Sequence, residues 1–194
     1  MNPSLENPNF NEITPESLQF LRQITPEILK NMIERKVRPT IKLIPYREGR
    51  VSVYLSNKSN YSEKLIANFL GGGIEDSESP LEALKRECKE ELESGYENIK
   101  DFLVDNLPIV AYGEIATSKP RWQKKGVFLV AVEVSSLEFI RPILSEMRYL
   151  APFSDIPSAI SWLNKTDTPP DRKDLYQIAL LKIKQLVEET KLSS

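Results

Sequence analysis

Three carboxylates stand at helical spacing near the middle of the chain. Glu87, Glu90 and Glu91 occupy positions i, i+3 and i+4, which lie on one side of an α-helix. Negative charges on one patch repel one another unless a cation lies between them. Converging oxygen ligands are what Mg²⁺ or Mn²⁺ requires, so the spacing predicts a divalent metal site.

The residues around this patch favour a built site over a solvated run of charge. Arg86 precedes Glu90 by four residues, so it can pair with that carboxylate and orient it. Upstream, Gly71, Gly72 and Gly73 permit positive φ and let main-chain groups approach a metal or a phosphate. We therefore predict catalytic roles for four residues: Glu87, Glu90, Glu91 and Arg86. The predicted metal site consists of Gly72, Glu87, Glu90 and Glu91.

The helix that carries the carboxylates has a marked start. The segment Ser79-Pro80-Leu81-Glu82 has the form of a capping box, with proline at the first helical position. The helix is therefore predicted to begin at about Ser79. Ala83 is expected to leave room on the carboxylate face. A second, apolar stripe predicts contact with a core and contains Leu81, Leu84, Cys88 and Leu92.

These positions resemble the signature of the Nudix hydrolases, Gly-x5-Glu-x7-Arg-Glu-U-x-Glu-Glu-x-Gly-U, where U is aliphatic. The match runs from Gly72 through Glu78 to Arg86-Glu87-Cys88-x-Glu90-Glu91. Glu93 stands where the family has glycine and the next glycine is Gly95, so two extra residues are expected to lengthen the helix end. The resemblance implies an α/β fold, an α/β/α sandwich with a mixed β-sheet, over about residues 38–190.

The resemblance also implies an activity. It implies a metal-dependent hydrolase of nucleoside diphosphates linked to another moiety, with Mg²⁺ or Mn²⁺ as cofactor and water attacking phosphorus. Candidate substrates are ADP-ribose or another nucleotide sugar, a dinucleotide, a nucleoside triphosphate and a capped RNA end. Glu87, Glu91 and Glu146 are candidate general bases. Glu114, Glu146 and Asp155 are candidates for a further carboxylate near the metals, but each by itself is expected to be structural. The competing interpretation is a nucleotide-binding sensor or scaffold that has lost turnover.

A basic loop joins two predicted strands downstream of the signature. It reads Lys119-Pro120-Arg121-Trp122-Gln123-Lys124-Lys125, with four cations around a tryptophan. An aromatic ring beside positive charges suits a nucleobase or sugar attached to phosphates. We predict substrate binding by Arg121, Trp122 and Lys124, and the alternative is a solvated turn. The second tryptophan, Trp162, has the spacing of an apolar helix face and is predicted to lie in the core.

The composition restricts the catalytic groups and the cellular compartment that can be expected. The chain has 194 residues, 40% of them hydrophobic, which suits one globular domain with an appendage. It contains no histidine, which excludes histidine-based acid–base catalysis and the usual histidine zinc sites. One cysteine cannot form an internal disulfide. Neither a secretory leader nor an apolar run of membrane-spanning length occurs in the sequence. We therefore expect a cytoplasmic protein without membrane contact. The net charge of −2 gives no global attraction to nucleic acid.

Periodicity predicts the elements around the signature. Helix starts at Thr14-Pro15-Glu16 and Thr25-Pro26-Glu27 predict an N-terminal helical extension over residues 1–37, followed by the hydrolase domain over residues 38–194. The extension is expected to cover a sheet edge or to contact a second copy in a homodimer, with substrate gating as the alternative. Predicted strands are Thr40–Tyr46, Val51–Leu55, Leu65–Leu70, Phe102–Val104, Ile109–Ala116, Val127–Val134 and Met147–Leu150. The predicted closing helices are Ile156–Leu163 and Asp171–Glu189.

Overall fold

A mixed β-sheet covered by α-helices on both faces forms the body of the protein. The computed structural model describes residues 19–56, 66–137, 149–150 and 154–192. Within these ranges the predicted α/β/α sandwich is confirmed, and none of the helices is both long and apolar enough to cross a membrane.

The described elements alternate strands with four α-helices. The strands are β1 (Gln19–Phe20), β2 (Val37–Arg47), β3 (Arg50–Val51), β4 (Tyr54–Ser56), β5 (Ile66–Asn68), β6 (Pro108–Ala116), β7 (Lys124–Glu133), β8 (Tyr149–Leu150) and β9 (Ser154–Asp155). The α-helices are α1 (Pro26–Glu34), α2 (Pro80–Leu92), α3 (Ile156–Lys165) and α4 (Pro170–Leu192). Short 3₁₀ helices lie at Leu21–Gln23, Glu93–Asn98 and Lys100–Phe102.

The main sheet has six strands in the order β1-β6-β7-β2-β3-β9, and β5-β4-β8 form a second, three-stranded sheet. Strands β2 and β7 run parallel at the centre, with Val37 opposite Lys124 and Tyr46 opposite Glu133. Strand β6 is antiparallel to β7, and β3 is antiparallel to β2. The apolar run along β7 is explained by this central position, because both faces of the strand are covered.

Two clusters of buried side chains lie on opposite faces of the sheet. Phe128 of β7 belongs to one cluster together with Leu84 of α2 and Met32 of α1. The next residue, Leu129, belongs to the other cluster together with Leu180 of α4. Successive side chains of a strand point to opposite faces, so α1 and α2 cover one face of the sheet and α4 covers the other.

Several predicted strands are found with shifted ends, but two predictions are corrected. The segment Phe102–Val104 is not a strand, because Lys100–Phe102 forms a 3₁₀ helix and Leu103 follows it as a buried cap residue. Only Leu103 of this segment is buried, whereas Phe102 and Val104 are exposed. The predicted strand Val51–Leu55 is divided, since β3 belongs to the main sheet and β4 to the second sheet.

The N-terminal segment is only partly helical. The predicted helix at Thr14-Pro15-Glu16 begins outside the described residues, and the chain that follows it forms β1 and a 3₁₀ turn. Strand β1 pairs with β6, with Gln19 opposite Ile109, and so extends the sheet at its β6 edge. The second predicted helix is α1, whose cap is the Thr25 hydroxyl, which accepts a hydrogen bond from the Ile28 N–H at 3.4 Å.

The predicted capping box begins α2. The Ser79 N–H donates to the Glu82 carboxylate at 2.8 Å, and the Glu82 N–H donates to the Ser79 hydroxyl at 3.2 Å. Ala83 is buried in the core, so the expectation that it leaves room on the carboxylate face is wrong. The α-helix ends at Leu92 and the chain continues as the 3₁₀ helix Glu93–Asn98, so the extra residues before Gly95 do not lengthen α2.

Ser79→Ala tests the cap that fixes the start of α2. It removes the hydroxyl acceptor, and we expect the free energy of unfolding to fall by about 1 kcal/mol. Ser79→Asp is the matched control, because aspartate restores an acceptor and should stay within about 0.5 kcal/mol of the wild type. Urea unfolding of the three proteins measures both changes, and a wild-type value for Ser79→Ala would show that the box adds no stability.

Candidate active site

The glycine loop before α2, Gly71-Gly72-Gly73, is hydrogen-bonded to the central strand β2. The Ile41 N–H donates to the Gly72 carbonyl at 2.9 Å, and the Leu43 N–H donates to the Leu70 carbonyl at 2.8 Å. Gly71 lies between these bonds with a φ of +108°, and a Cβ there would collide with the Ile41 carbonyl. Only glycine meets both conditions, so the loop can follow β2 closely because of Gly71.

The carboxylate of Glu87 lies directly against the backbone of Gly72. A Cβ added to Gly72 would overlap both oxygens of that carboxylate, so a larger residue here would displace the Glu87 side chain. The Glu87 side chain is only 16% exposed. Two groups of the predicted metal site, Gly72 and Glu87, are therefore in contact.

Arg86 of α2 forms hydrogen bonds with both the glycine loop and the turn before the helix. Its Nε and Nη2 donate to the two carboxylate oxygens of Glu78 at 2.9 and 3.0 Å. Its Nη1 donates to Glu87 Oε1 at 2.8 Å, and its Nη2 also donates to the Gly73 carbonyl at 2.9 Å. The predicted partner Glu90 is more distant, with 3.7 Å between Arg86 Nη1 and Glu90 Oε2. The carboxylate that Arg86 orients in the predicted patch is therefore chiefly that of Glu87.

The Arg86–Glu78 pair is electrostatically matched. The hydrogen bonds from Arg86 hold the pKa of Glu78 below its usual range, and those to Glu78 raise the pKa of Arg86 above its ordinary value. The two side chains are 27% and 15% exposed, so water screens their attraction only in part. Both groups are therefore charged at neutral pH, and the bidentate contact fixes the loop geometry.

The other two carboxylates of the patch have different surroundings. Glu91 Oε2 accepts the Gly71 N–H at 2.7 Å, whereas the Glu90 side chain is 60% exposed. The three carboxylates therefore lie on α2 as predicted, but Glu87 and Glu91 bind different groups and Glu90 is exposed. Among the described residues, no group of three or more His, Cys, Asp or Glu side chains is arranged to hold a metal ion as it stands.

The chemistry of the donors nevertheless suits Mg²⁺ or Mn²⁺. The groups at this site are carboxylate and carbonyl oxygens, the hard ligands that these ions prefer. The only thiol of the chain, Cys88, is buried in the core, and burial raises its pKa. Gly72 keeps a second lone pair on its carbonyl, and the Glu90 side chain is exposed on the same helix face. The donor chemistry therefore fits a divalent cation such as Mg²⁺ or Mn²⁺.

A cleft of about 600 Å³ opens beside the glycine loop. Its walls combine three cations, two carboxylates and a tryptophan, namely Arg38, Lys119, Arg121, Glu75, Asp76 and Trp122. The loop after β6 supplies one wall, and β2 and the residues after Gly73 supply the other. The cleft is therefore adjacent to the loop that contacts Glu87 and Arg86.

The predicted substrate-binding residues divide into two groups. Arg121 and Trp122 both line the cleft, and the Arg121 guanidinium carbon lies 5.1 Å from the centroid of the Trp122 ring. Lys124 does not line it. Its Nζ lies 3.5 Å from Glu114 Oε2, and Arg35 Nη2 binds the other oxygen of Glu114 at 2.6 Å. Lys124 is therefore part of an ion-pair cluster beside the cleft.

Sequence reasoning missed two cationic residues of β2, Arg38 and Lys42. Arg38 lines the cleft and packs on Gly73, where a Cβ would overlap its guanidinium. Lys42 is buried, and its Nζ donates to the Gly71 carbonyl. A charged residue within an otherwise apolar central strand is the signal that could have identified both.

Three further predictions can be compared with the structure. Trp162 is 39% exposed, so its placement in the core was wrong. Asp155 is structural, as predicted, because its carboxylate accepts the Ser158 N–H at 2.8 Å and caps α3. Glu114 is also structural, held in the ion-pair cluster. Glu146, a candidate general base, lies outside the described residues.

The sequence establishes the family. The family model described as the NUDIX domain matches residues 36–138, which is more than half of the 194 residues. The chain therefore belongs to the Nudix family, and the expectation of a Nudix hydrolase is confirmed. Among curated proteins, none has a matching sequence.

Several solved structures are similar to this chain. The Ap4A hydrolase of C. elegans is similar with a TM-score of 0.51 and 13% identity, over 78% of this chain and 98% of that chain. The E. coli ORF135 protein has a TM-score of 0.49 and 20% identity, over 79% and 92% of the two chains. The E. coli dihydroneopterin triphosphate pyrophosphohydrolase has a TM-score of 0.48 and 16% identity, over 76% and 98%. At these identities the likeness to the C. elegans protein concerns the fold.

Glu78→Gln tests the contribution of the Arg86 pair. Because the pKa of Glu78 is lower in the folded chain, its ionised form stabilises the fold above the unfolded pKa, and that stability is lost as pH falls through the folded pKa. We expect the variant to lose about 1.5–3 kcal/mol at neutral pH and to approach the wild type in acid. The measurement is the free energy of urea unfolding, compared between neutral and acid pH.

Glu97→Gln is the control for this experiment. Glu97 pairs with Lys100 at the surface and its side chain is 67% exposed, so its loss should cost less than about 1 kcal/mol. If Glu78→Gln were destabilised equally at neutral and acid pH, the charge on Glu78 would not be the stabilising feature.

Proposed function

We propose that this chain is a metal-dependent hydrolase of nucleoside diphosphates linked to another moiety, such as ADP-ribose or another nucleotide sugar, by water attack at phosphorus. The observation that carries the proposal is the position of the cleft. The cleft contains Trp122 and three cations and lies beside the glycine loop that contacts Glu87 and Arg86. A nucleotide in the cleft would therefore have its phosphates next to the carboxylates.

The metal would be held by Glu87, Glu90 and Glu91 together with the main chain of Gly72. A bound Mg²⁺ or Mn²⁺ supplies neutralisation of the diphosphate charge and polarisation of the attacking water. The protein holds two of these ligands in place beforehand, since Arg86 binds Glu87 and the Gly71 N–H binds Glu91. Such prior positioning matters because phosphoryl transfer depends mainly on placement and electrostatics.

The cleft supports a substrate that extends beyond its phosphates. Its volume of about 600 Å³ lies within the range of ligand pockets and leaves room for a base or a sugar. The Trp122 ring offers a stacking surface, and Arg38 and Arg121 supply positive charge for phosphate oxygens. Glu75 and Asp76 can accept hydrogen bonds from sugar hydroxyls. This mixture favours a diphosphate joined to a polar moiety.

A second candidate function is a nucleotide-binding sensor or scaffold without turnover. The observation that favours it is that the three carboxylates do not converge in the described part of the chain. Glu87 and Glu91, both candidate bases, are already bonded to Arg86 and to Gly71. The cleft would serve such a protein equally well.

A substrate panel separates the two functions. The protein would be incubated with ADP-ribose, another nucleotide sugar, a dinucleotide, a nucleoside triphosphate and a capped RNA, each with Mg²⁺, with Mn²⁺ and with excess EDTA. Metal-dependent hydrolysis supports the enzyme, with the fastest substrate defining its class. Saturable binding of a panel compound, with hydrolysis of none of them, supports the sensor. Full hydrolysis in excess EDTA would contradict the metal site.

Substitution of the glutamates tests the metal site directly. Glu87→Gln, Glu90→Gln and Glu91→Gln each remove one ligand charge, and we expect each to lower kcat by at least about 10²-fold on the best substrate. Lys89→Gln is the control, because Lys89 is exposed on the same helix and should keep most activity. Equal losses in all four variants would indicate a general helix defect, and turnover close to wild type in the three glutamate variants would reject the site.

The two tryptophans provide a matched test of the cleft. Trp122→Ala should raise KM or lower kcat/KM by about tenfold, as expected when stacking worth about 1–2 kcal/mol is lost. Trp162→Ala is the control, since Trp162 is an exposed tryptophan on α3 that does not line the cleft. Steady-state kinetics of both variants decide the matter, and unchanged kinetics in folded Trp122→Ala would make the loop a solvated turn.

A further inference from the structure

The glycine loop is bonded to a cation that comes from the central strand. Lys42 of β2 is only 6% exposed, and its Nζ donates a hydrogen bond to the Gly71 carbonyl. Its sequence neighbours Ile41 and Leu43 are fully buried core residues. A buried ammonium group is costly unless it is hydrogen-bonded and its charge is offset, so this lysine requires an explanation.

Gly71 connects this ammonium group to a carboxylate of the signature helix. Its carbonyl accepts from Lys42, and its N–H donates to Glu91 Oε2 at 2.7 Å. The left-handed conformation of Gly71 and the lack of space for a Cβ keep the residue in this orientation. A displacement of the Lys42 side chain would therefore be transmitted to the Glu91 carboxylate through one residue.

Lys42 and Glu91 contact the same residue from opposite ends of its polarity, since the ammonium group binds the Gly71 carbonyl and the carboxylate binds the Gly71 N–H. Lys42 thus provides a positive charge close to a patch that is otherwise negative.

Each carbonyl of the three loop glycines has a donor from the protein. Lys42 binds that of Gly71, the Ile41 N–H binds that of Gly72, and Arg86 binds that of Gly73. Two of the three donors are cationic side chains. The loop is thus held in shape by protein cations, independently of any ion from solution.

We propose that Lys42 is a positioning residue that acts as a built-in cation of the glycine loop. It holds Gly71, and through it Glu91, in place, and it offsets part of the carboxylate charge at the site. The part of this inference that concerns metal binding rests on the proposed function, whereas the part that concerns the loop does not.

Opposite effects on the loop and on metal affinity follow from this role. Without the ammonium, the Gly71 carbonyl loses its partner and the carboxylates lose a counter-charge, so the metal-free protein should be less stable. The same ammonium repels an incoming divalent ion, and we expect the loss of this repulsion to outweigh the looser placement of Glu91, so its removal should tighten metal binding. A lysine with a merely structural role would produce only the first effect.

The test compares variants of the full chain, using Mn²⁺ alone as the probe. Lys42→Met keeps the length of the side chain without its charge, and Lys42→Gln also keeps a hydrogen-bond donor in case the methionine variant does not fold. We expect both to bind Mn²⁺ at least about fivefold more tightly, measured by electron paramagnetic resonance of the free ion. Lys42→Arg, which retains the charge, should bind as the wild type does.

Lys182→Met is the matched control. Lys182 of α4 is also a buried lysine, 7% exposed, and its substitution should leave Mn²⁺ affinity unchanged. An affinity of Lys42→Gln equal to that of the wild type would overturn the proposed electrostatic role. An equal tightening in Lys182→Met would overturn it as well, because the effect would then reflect overall charge.

The loop is measured separately, without metal or substrate. Hydrogen exchange at the Gly71 amide, followed by nuclear magnetic resonance, should be at least about tenfold faster in Lys42→Met than in the wild type, because its bond to Glu91 is loosened. In Lys42→Gln we expect a smaller increase, because a neutral donor replaces the ammonium group. If the wild type bound no Mn²⁺, the proposed function would fail while this measurement still tested the positioning role. Unchanged exchange in a folded variant would overturn that role.

Discussion

The contact on which the site depends is that of the Arg86 guanidinium with the chain around it. Arg86 donates four hydrogen bonds, two to Glu78, one to Glu87 and one to the Gly73 carbonyl. These acceptors come from the turn before α2, from α2 itself and from the glycine loop. A planar group with donors in a fixed fork can satisfy all of them at once, which a lysine could not. Loop and helix are therefore fixed relative to each other by one side chain.

The central strand contributes the remaining positive charge. Arg38 packs on Gly73 and Lys42 binds the Gly71 carbonyl, so the loop is held from β2 as well as from α2. The loop therefore lies among the charges of both elements. The carboxylates at the start and along the face of α2 need these cations, since like charges at helical spacing otherwise weaken a helix. This arrangement accounts for two of the three charged residues of β2, Arg38 and Lys42, the third being Arg47 at the end of the strand.

Local signals in the sequence predicted helix α2 and the carboxylates on it. They could not predict which residues distant in the sequence contact each other in the fold. The capping box at Ser79 and the apolar stripe of α2 are consequences of 3.6-residue periodicity, so both could be read directly. The roles of Arg38 and Lys42 depend on which strand the loop lies against, which periodicity does not contain. Phe102–Val104 was misassigned because a short apolar run does not by itself distinguish a strand from other conformations. Lys124 was placed with the substrate because its partner Glu114 lies on a different strand.

The three loop glycines keep the loop close to its charged neighbours. Gly71 is required for its backbone conformation, whereas Gly72 and Gly73 leave room for the Glu87 carboxylate and the Arg38 guanidinium. The Gly73 carbonyl accepts a hydrogen bond from Arg86, and Arg38, which packs on the same glycine, lines the cleft. A larger side chain at Gly73 would displace the Arg38 guanidinium. Because Gly73 contacts one cation of the carboxylate site and one cation of the cleft, the glycine loop links the geometry of the two.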